Sequence, residues 1–128
     1  MEPSGMANAG ALDQERPNMT IFAKILNDEI PSDRVYEDEH CIAFRDIHPV
    51  APTHILVIPR KPLGKLSEME ITDEALIGHL MRVATLVAEQ EGLEHFRVIT
   101  NNGAGAGQTV FHLHLHVVGG RDLAWPPG

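Results

Sequence analysis

The sequence predicts an α+β domain built from five short strands and two helices. Three observations support this prediction: a buried apolar run at 54–59, a helical period of apolar residues over 72–91, and strict alternation of apolar and histidine residues over 110–118. At 128 residues the chain is long enough for one such domain and too short for a second independent core.

Composition and charge narrow the classes of partner. Hydrophobic residues make up 43% of the chain and charged residues 22%, which is typical of a globular protein. The formal net charge of -8 disfavours nucleic acid and anionic lipid as partners, so an anionic ligand would need local donors. The sequence shows neither a membrane-length apolar run nor a secretion signal, and one cysteine fits a reducing compartment. We therefore expect no membrane contact and a cytoplasmic location, with entry into the nucleus left open.

The first segment, residues 1–19, holds glycine, proline and small polar side chains without a sustained apolar period. It is predicted to be a flexible leader in front of a domain over 20–128. The domain begins with a short amphipathic helix, because the apolar residues after Thr20 share one helical face and Thr20 can cap its start. Pro31 is expected to close this segment.

Three strands are predicted in the first half of the domain. Arg34–Glu37 and Cys41–Asp46 have the composition of short strands, and the charged turn between them favours a hairpin. A proline-containing loop follows, since proline cannot supply a regular ladder of amide donors. His54–Pro59 is then a β-branched apolar run, which is typical of a buried strand.

A main helix and a fourth strand are predicted next. The apolar positions of 72–91 repeat every 3.6 residues or so, as expected for a helix with one buried face. Thr72 and Asp73 suit its N-terminus, and Gly92 suits its end. Phe96–Thr100 has the composition of a short strand.

The last strand, predicted over Val110–Val118, carries the candidate chemistry. Residues two apart on a strand share a face, so the three histidines line up on one face while the apolar residues point the other way, into the core. The histidines are His112, His114 and His116, and the apolar residues are Phe111, Leu113, Leu115 and Val117. A structural role for the three rings is one interpretation. Ligation of zinc or copper is a second, although no cysteine or carboxylate on this strand completes a familiar ligand set.

Nucleophilic attack on phosphorus is a third interpretation, and the preceding loop favours it. Gly103–Gly107 can bring backbone amides close to an anion, and Gln108 and Thr109 add an amide and a hydroxyl. Such a loop is a weak signal alone, and it is not a dinucleotide fingerprint because a strand, not a helix, follows it. Together with three histidines it indicates an anion cradle beside a nucleophile.

The run Gln108–Val118 resembles the signature of the histidine triad (HIT) superfamily, His-φ-His-φ-His-φ-φ, in which φ is apolar. From Thr20 to Gly128 the chain is also similar to one branch, the adenosine phosphoramidases called histidine triad nucleotide-binding proteins. The segments that carry this similarity are Ile21-Phe22, Glu29-Ile30-Pro31, Phe44-x-Asp46-Ile47, Ala51-Pro52-Thr53-His54, Gly119-Gly120-Arg121 and Trp125-Pro126-Pro127-Gly128.

The resemblance implies the HIT fold, an antiparallel five-stranded sheet with two helices, paired into a two-fold homodimer whose sheets join. It implies a hydrolase that binds a purine nucleoside monophosphate or phosphoramidate and cleaves a phosphorus–nitrogen bond through a nucleotidyl-histidine intermediate. Acyl-adenylates are a further substrate class, and no metal or other cofactor is required. The alternatives are a dinucleoside polyphosphate hydrolase and a nucleotide-binding scaffold protein in which catalysis is secondary.

The resemblance also implies catalytic roles. His114 is the nucleophile, and His116 contacts the phosphate oxygens. His112 and His54 support the hydrogen-bond network around them. Thr109 stands where serine is common in the family, and its hydroxyl keeps a donor near the leaving nitrogen.

For the nucleotide, the resemblance implies that Asp46 binds the ribose hydroxyls and Ile47 lies against the base. The residues implied to surround the phosphate are Asn101, Gly107, Gln108 and Thr109, with His114 and His116. Trp125 is expected to reach the partner's active site. Judged without the family, Asp46 could simply end a strand, Asn101 could cap a turn, and a terminal tryptophan could pack on its own domain.

Overall fold

The computed structural model describes residues 19–128, so the predicted leader lies outside the described residues except for Met19. The strands are β1 (Arg34–Glu37), β2 (Cys41–Arg45), β3 (Thr53–Pro59), β4 (Phe96–Ile99) and β5 (Leu115–Gly119). The α-helices are α1 (Ile21–Leu26) and α2 (Glu74–Gln90). All strand pairs are antiparallel, and the strand order across the sheet is β1-β2-β3-β5-β4. The predicted α+β architecture of five strands and two helices is confirmed.

The predicted strand over Val110–Val118 is wrong in its first half. Pairing begins only at Leu115, and Phe111, which was expected to face the core, is 47% exposed. Pairing with β4 ends at its last residue, Ile99, opposite His116, and pairing with β3 ends at Val57 opposite Leu115, although β3 itself continues to Pro59 beside β2. His112 and His114 therefore lie in the irregular segment that leads into β5.

The two faces of the sheet pack against different helices. One face, which includes Cys41, Val57 and Leu115, packs on the buried side of α2. The members of that side are Leu80, Val83, Ala84, Val87 and Ala88. The opposite face, which includes Phe44 and Leu56, packs on α1. Because side chains alternate along a strand, the face of Leu56 is also the face of His54 and His116.

The start of α1 follows local chemistry. The Thr20 hydroxyl accepts the amide of Ala23 at 3.1 Å, which is the predicted cap. The helix ends at Leu26, with Asn27 as its C-cap and well before Pro31, and Asp28 then takes a positive φ of 60°. With six residues, α1 is only about 9 Å long, so it covers a small part of its sheet face.

The end of α2 is fixed by Gly92, as predicted, with a φ of 74°. The amides of Gly92 and Leu93 donate to the carbonyls of Glu89 and Ala88, which is the Schellman arrangement. A 3-10 turn at Ile71–Asp73 precedes the helix. In residues 19–128 no helix has the length and apolar character needed to cross a membrane.

Candidate active site

The His114 ring is held in one orientation and one tautomer. Its Nδ1 lies 2.7 Å from the main-chain oxygen of His112. A carbonyl can only accept, so Nδ1 carries the proton and Nε2 keeps a free lone pair. The Phe22 ring meets the His114 ring edge-on, with centroids 5.0 Å apart and planes at 89°. The Thr100 hydroxyl donates to the His114 carbonyl at 2.9 Å, which anchors the backbone here.

His112 supports this arrangement from inside the protein. Its side chain is buried, and its Nε2 donates to the Pro59 carbonyl at 2.7 Å. The carbonyl that orients His114 is therefore part of a residue that is itself tied to the end of β3.

His54 and His116 form a second pair of histidines, beside the pair formed by His112 and His114. The Val50 amide donates to His54 Nδ1 at 3.1 Å, so the proton of His54 is on Nε2. That Nε2 lies 2.9 Å from His116 Nδ1, which must accept, and the proton of His116 is therefore on its own Nε2. The His114 and His116 rings are 4.9 Å apart by centroid. The site thus presents a lone pair on one ring and an N–H donor on its neighbour.

Burial keeps the rings uncharged. It lowers the pKa of His114, against an opposing effect of the hydrogen bond to the His112 carbonyl. Burial is also the main cause that lowers the pKa of His112 and of His54. For His116, burial together with the neighbouring rings lowers the pKa to about 4. All four imidazoles are neutral at pH 7, which suits a nucleophile and hydrogen-bond donors.

Asp46 lies next to the second pair, directly after β2. One carboxylate oxygen, Oδ2, is 3.3 Å from His54 Nε2, and Oδ1 accepts the amide of His48 at 2.8 Å. Asp46, His54 and His116 offer three ligand atoms within 4.8 Å of one another. A cation bound there would have to break the hydrogen bond between the two rings, because it would take the same nitrogen atoms.

The Gln108 side chain shapes the glycine loop. It is only 3% exposed; its Oε1 accepts the amide of Gly103 at 2.8 Å, and its Nε2 donates to Gly64 and Val110 carbonyls at 2.8 and 3.0 Å. Both amide protons are therefore used within the protein. The expectation of a side-chain amide that is free to donate to a ligand is corrected by this geometry, because a distant carbonyl, that of Gly64, and a nearby one, that of Val110, accept its protons.

The glycines of the loop take the conformations that glycine permits. Gly103 and Gly107 have φ values of 98° and 96°, around a short 3-10 turn at Ala104–Ala106. The amides of Gly107 and Gln108 donate to carbonyls of the loop itself, at 3.0 and 3.1 Å. The loop is therefore folded by its own hydrogen bonds, and these two amides already have acceptors within it.

Two polar groups beside the loop remain available. The Asn101 side chain lies close to Gly107, since a Cβ added there would be 3.7 Å from Asn101 Nδ2. Thr109 is exposed. Within residues 19–128, neither the Asn101 amide nor the Thr109 hydroxyl has a hydrogen-bond partner. Both can therefore serve a ligand.

Two hydrophobic side chains that are expected to lie near a bound nucleotide are exposed to solvent. Ile47 is 81% exposed, immediately after Asp46. Trp125 is also 81% exposed, so within this one chain it does not pack on its own domain. Its tail is held to β4 by Arg97, which donates to the Ala124 carbonyl at 2.8 Å.

Sequence reasoning missed Phe22 and Thr100 as parts of this site. In the sequence, Phe22 is one of the apolar residues of the predicted first helix and part of the Ile21-Phe22 segment of the resemblance, and neither observation gives it a place beside His114. Its contact with His114 depends on how α1 crosses the sheet, which no local pattern reveals. Thr100 directly follows β4, and a hydroxyl at a strand end next to a candidate site is a signal that could have suggested it.

Residues 27–123 match the family model described as HIT domain. Over 110 residues the chain is 56% identical to an uncharacterized HIT-like protein of Synechococcus elongatus, and the match covers 85% of this chain and 96% of that relative. The fold is similar to that of a HIT family hydrolase from Legionella pneumophila, with a TM-score of 0.82, 43% identity, and coverage of 84% of this chain and 98% of that one. It is also similar to a histidine triad nucleotide-binding protein from Candida albicans, with a TM-score of 0.75, 29% identity, and coverage of 84% and 82%.

Proposed function

This chain belongs to the HIT domain family, and from that premise we propose that it is a nucleotide-binding hydrolase, specifically a purine nucleoside phosphoramidase. The single observation that carries the proposal is the fixed tautomer of His114. Its Nδ1–H points at the His112 carbonyl, which leaves Nε2 unprotonated, and the centroid of the neighbouring His116 ring, whose Nε2 is protonated, lies 4.9 Å from that of the His114 ring. A lone pair next to an N–H donor is what attack on an anionic phosphoryl group requires.

In the first step, His114 Nε2 attacks the α-phosphorus of an AMP-linked amine, and the phosphorus–nitrogen bond breaks. The departing amine takes a proton from solvent, relayed through the Thr109 hydroxyl. His114 now carries the nucleotidyl group and a positive charge. The His112 carbonyl stabilises that charge because it accepts a hydrogen bond from His114 Nδ1–H, with a nitrogen-to-oxygen distance of 2.7 Å.

In the second step, water attacks the phosphorus and the bond to His114 breaks. The products are AMP and a neutral His114 ring, and the remaining proton of the water goes to solvent. His116 Nε2–H donates to the phosphoryl oxygens in both steps. One well-placed donor of this kind is worth about 3 to 4 kcal/mol of transition-state stabilisation.

The nucleotide is proposed to lie along the histidine face. Asp46 binds the ribose hydroxyls, and the exposed Ile47 lies against the purine. The free side chains of Asn101 and Thr109 donate to the phosphate. Gln108 acts through the loop that it holds, and it is a positioning residue in this proposal.

We further propose a two-fold homodimer joined through β4. This strand is an edge of the sheet, and Phe96 on it is 36% exposed. Met81 of α2 is 45% exposed as well. Joining two copies here would extend the sheet and bring the projecting Trp125 of one copy towards the other copy's site.

A turnover panel tests the proposed activity. The substrates are AMP-linked amines, AMP-lysine and diadenosine polyphosphates, each tried with purified wild-type protein. Fastest hydrolysis of the phosphorus–nitrogen substrates supports the phosphoramidase. Preference for diadenosine polyphosphates would replace it with the polyphosphate hydrolase, and tight nucleotide binding without turnover would favour a scaffold protein.

A further inference from the structure

Three potential metal ligands meet on the α2 side of the sheet, on the face opposite His116. Asp38 lies in the turn between β1 and β2, Cys41 is the first residue of β2, and His79 lies on α2. One ligand atom of each lies within 4.8 Å of the others. None of these residues has a part in the proposed reaction.

The Asp38 carboxylate is oriented by its surroundings. Its Oδ1 accepts the amides of His40 and Cys41 at 2.7 and 2.9 Å. Its Oδ2 accepts the Tyr36 hydroxyl at 2.8 Å and lies 2.6 Å from His79 Nε2. Hydrogen bonds that orient a ligating carboxylate are the usual support of a metal site, and here they are already in place.

The charges of the cluster favour a divalent cation. The Cys41 side chain is fully buried beside the Asp38 carboxylate. A divalent ion would displace the thiol proton. The thiolate and the carboxylate would then match the two positive charges of the ion, and a partly buried cluster would become neutral.

The geometry needs only a small adjustment. Zinc bond lengths to sulfur, nitrogen and oxygen place ligand atoms about 3.4 to 3.7 Å apart around a tetrahedral ion. The contact between His79 Nε2 and Asp38 Oδ2, at 2.6 Å, must therefore open by about 1 Å. The His79 side chain is 33% exposed and has room to move. The exposed His40 ring, 5.4 Å from His79 by centroid, can supply a fourth ligand.

We propose that Asp38, Cys41 and His79 form a structural binding site for a divalent transition-metal ion of the zinc type. The ion would tie α2 to the β1–β2 turn. Since the site is on the other side of the sheet from the catalytic histidines, a metal chelator should lower the melting temperature of metal-loaded protein and leave turnover unchanged.

Cobalt is the probe that tests this site. Cys41 is the only cysteine of the chain, so a thiolate-to-cobalt charge-transfer band in the near ultraviolet can arise from this residue alone. We expect one equivalent of Co²⁺ to produce the band, and Zn²⁺ to abolish it by displacement. Absence of the band, at metal concentrations that saturate a micromolar site, would overturn the proposal.

Variants test the ligand set. His79→Gln keeps a hydrogen-bond donor for Asp38 and should weaken cobalt binding by about tenfold or more. His95→Gln is the matched control, because His95 is 97% exposed and remote from Cys41 in the sequence, and it should leave the titration unchanged. Cys41→Ser should abolish the band, although its buried position can also lower stability. An unchanged titration in His79→Gln would overturn the ligand set even if the serine variant did not fold.

Discussion

His54 Nε2 lies 2.9 Å from His116 Nδ1, and this one contact determines which nitrogen of His116 carries its proton. His54 is itself fixed by the Val50 amide, which occupies its other nitrogen at 3.1 Å. The series of hydrogen bonds therefore runs from the Val50 amide, through the neutral ring of His54, to the His116 ring, whose proton is left on Nε2.

Replacing His54 should remove the hydrogen bond that fixes the tautomer of His116. In His54→Phe the donor to His116 Nδ1 is lost, His116 can adopt its other tautomer, and we expect kcat/KM to fall about 10- to 100-fold. His54→Gln keeps an N–H donor and should recover part of the loss. Steady-state kinetics give the rates, and nitrogen NMR of His116 gives the tautomer. Equal activity in the phenylalanine variant would show that His116 needs no such partner.

Removing the nucleophile should abolish turnover. In His114→Ala we expect the hydrolysis of an adenosine phosphoramidate to fall by about a thousandfold or more, because no other ring nitrogen in the described site takes its place. The fold should survive, with a loss of about 1 to 2 kcal/mol for the missing hydrogen bond. Circular dichroism checks the fold, and His95→Ala is the exposed control. Near wild-type turnover in His114→Ala would rule out the covalent intermediate.

Hydrolytic activity should persist at pH values below the ordinary pKa of histidine. The pKa of His114 is lowered by burial, so the nucleophile stays unprotonated, and activity should persist, below pH 6.5. A pH–rate profile measures this. Loss of activity centred at or above pH 6.5 would mean that the ring is not buried in the working enzyme.

Stability should change over the same acidic range. The unfolded chain takes up a proton at His116 below about pH 6.5, whereas the folded chain resists it until about pH 4. Folding free energy is therefore lost as the pH falls between these values and is fully present above them. The melting temperature of wild type should therefore fall relative to that of His116→Gln as the pH falls through this window. Parallel curves would contradict the depressed pKa.

Loosening the glycine loop should impair both stability and nucleotide binding. Gln108→Ala leaves the Gly64 and Val110 carbonyls and the Gly103 amide without their partner, which should cost about 1 to 3 kcal/mol. We expect KM to rise more than kcat falls. Thermal melts and steady-state kinetics measure the two effects, with the exposed Gln90→Ala as control. If melting and KM both match the control, the loop does not depend on this side chain.

Deleting residues 125–128 should change substrate choice more than stability. Trp125 is 81% exposed, so its removal exposes little core. The ratio of kcat/KM values for two leaving amines, measured beside the melting temperature, tests this. An unchanged ratio would leave the tail with no part in specificity.

The features that the sequence predicted well are those decided by neighbouring residues. Thr20 caps α1 through an amide three residues away, and Gly92 ends α2 through its own φ angle. Alternation also assigned Leu115 and Val117 to the core face and His116 to the other.

What the sequence did not reveal depends on distant partners. The start of β5 depends on where its pairing with the distant strands β3 and β4 begins, and the Gln108 side chain donates to the carbonyl of Gly64, which lies 44 positions away. Phe22 reaches His114 across more than ninety positions of chain, through the packing of α1. Contacts between residues so far apart in the sequence cannot be predicted from the pattern of residues within a short segment.

The acceptor that orients His114 is a main-chain oxygen, and every amino acid at position 112 would supply one. Random mutation at that position can disturb the buried ring and its bond to Pro59, yet it cannot delete the acceptor itself. The orientation of the His114 ring is thus set by the path of the backbone, and only a change of that path, or a chemical replacement of the amide, would remove its acceptor.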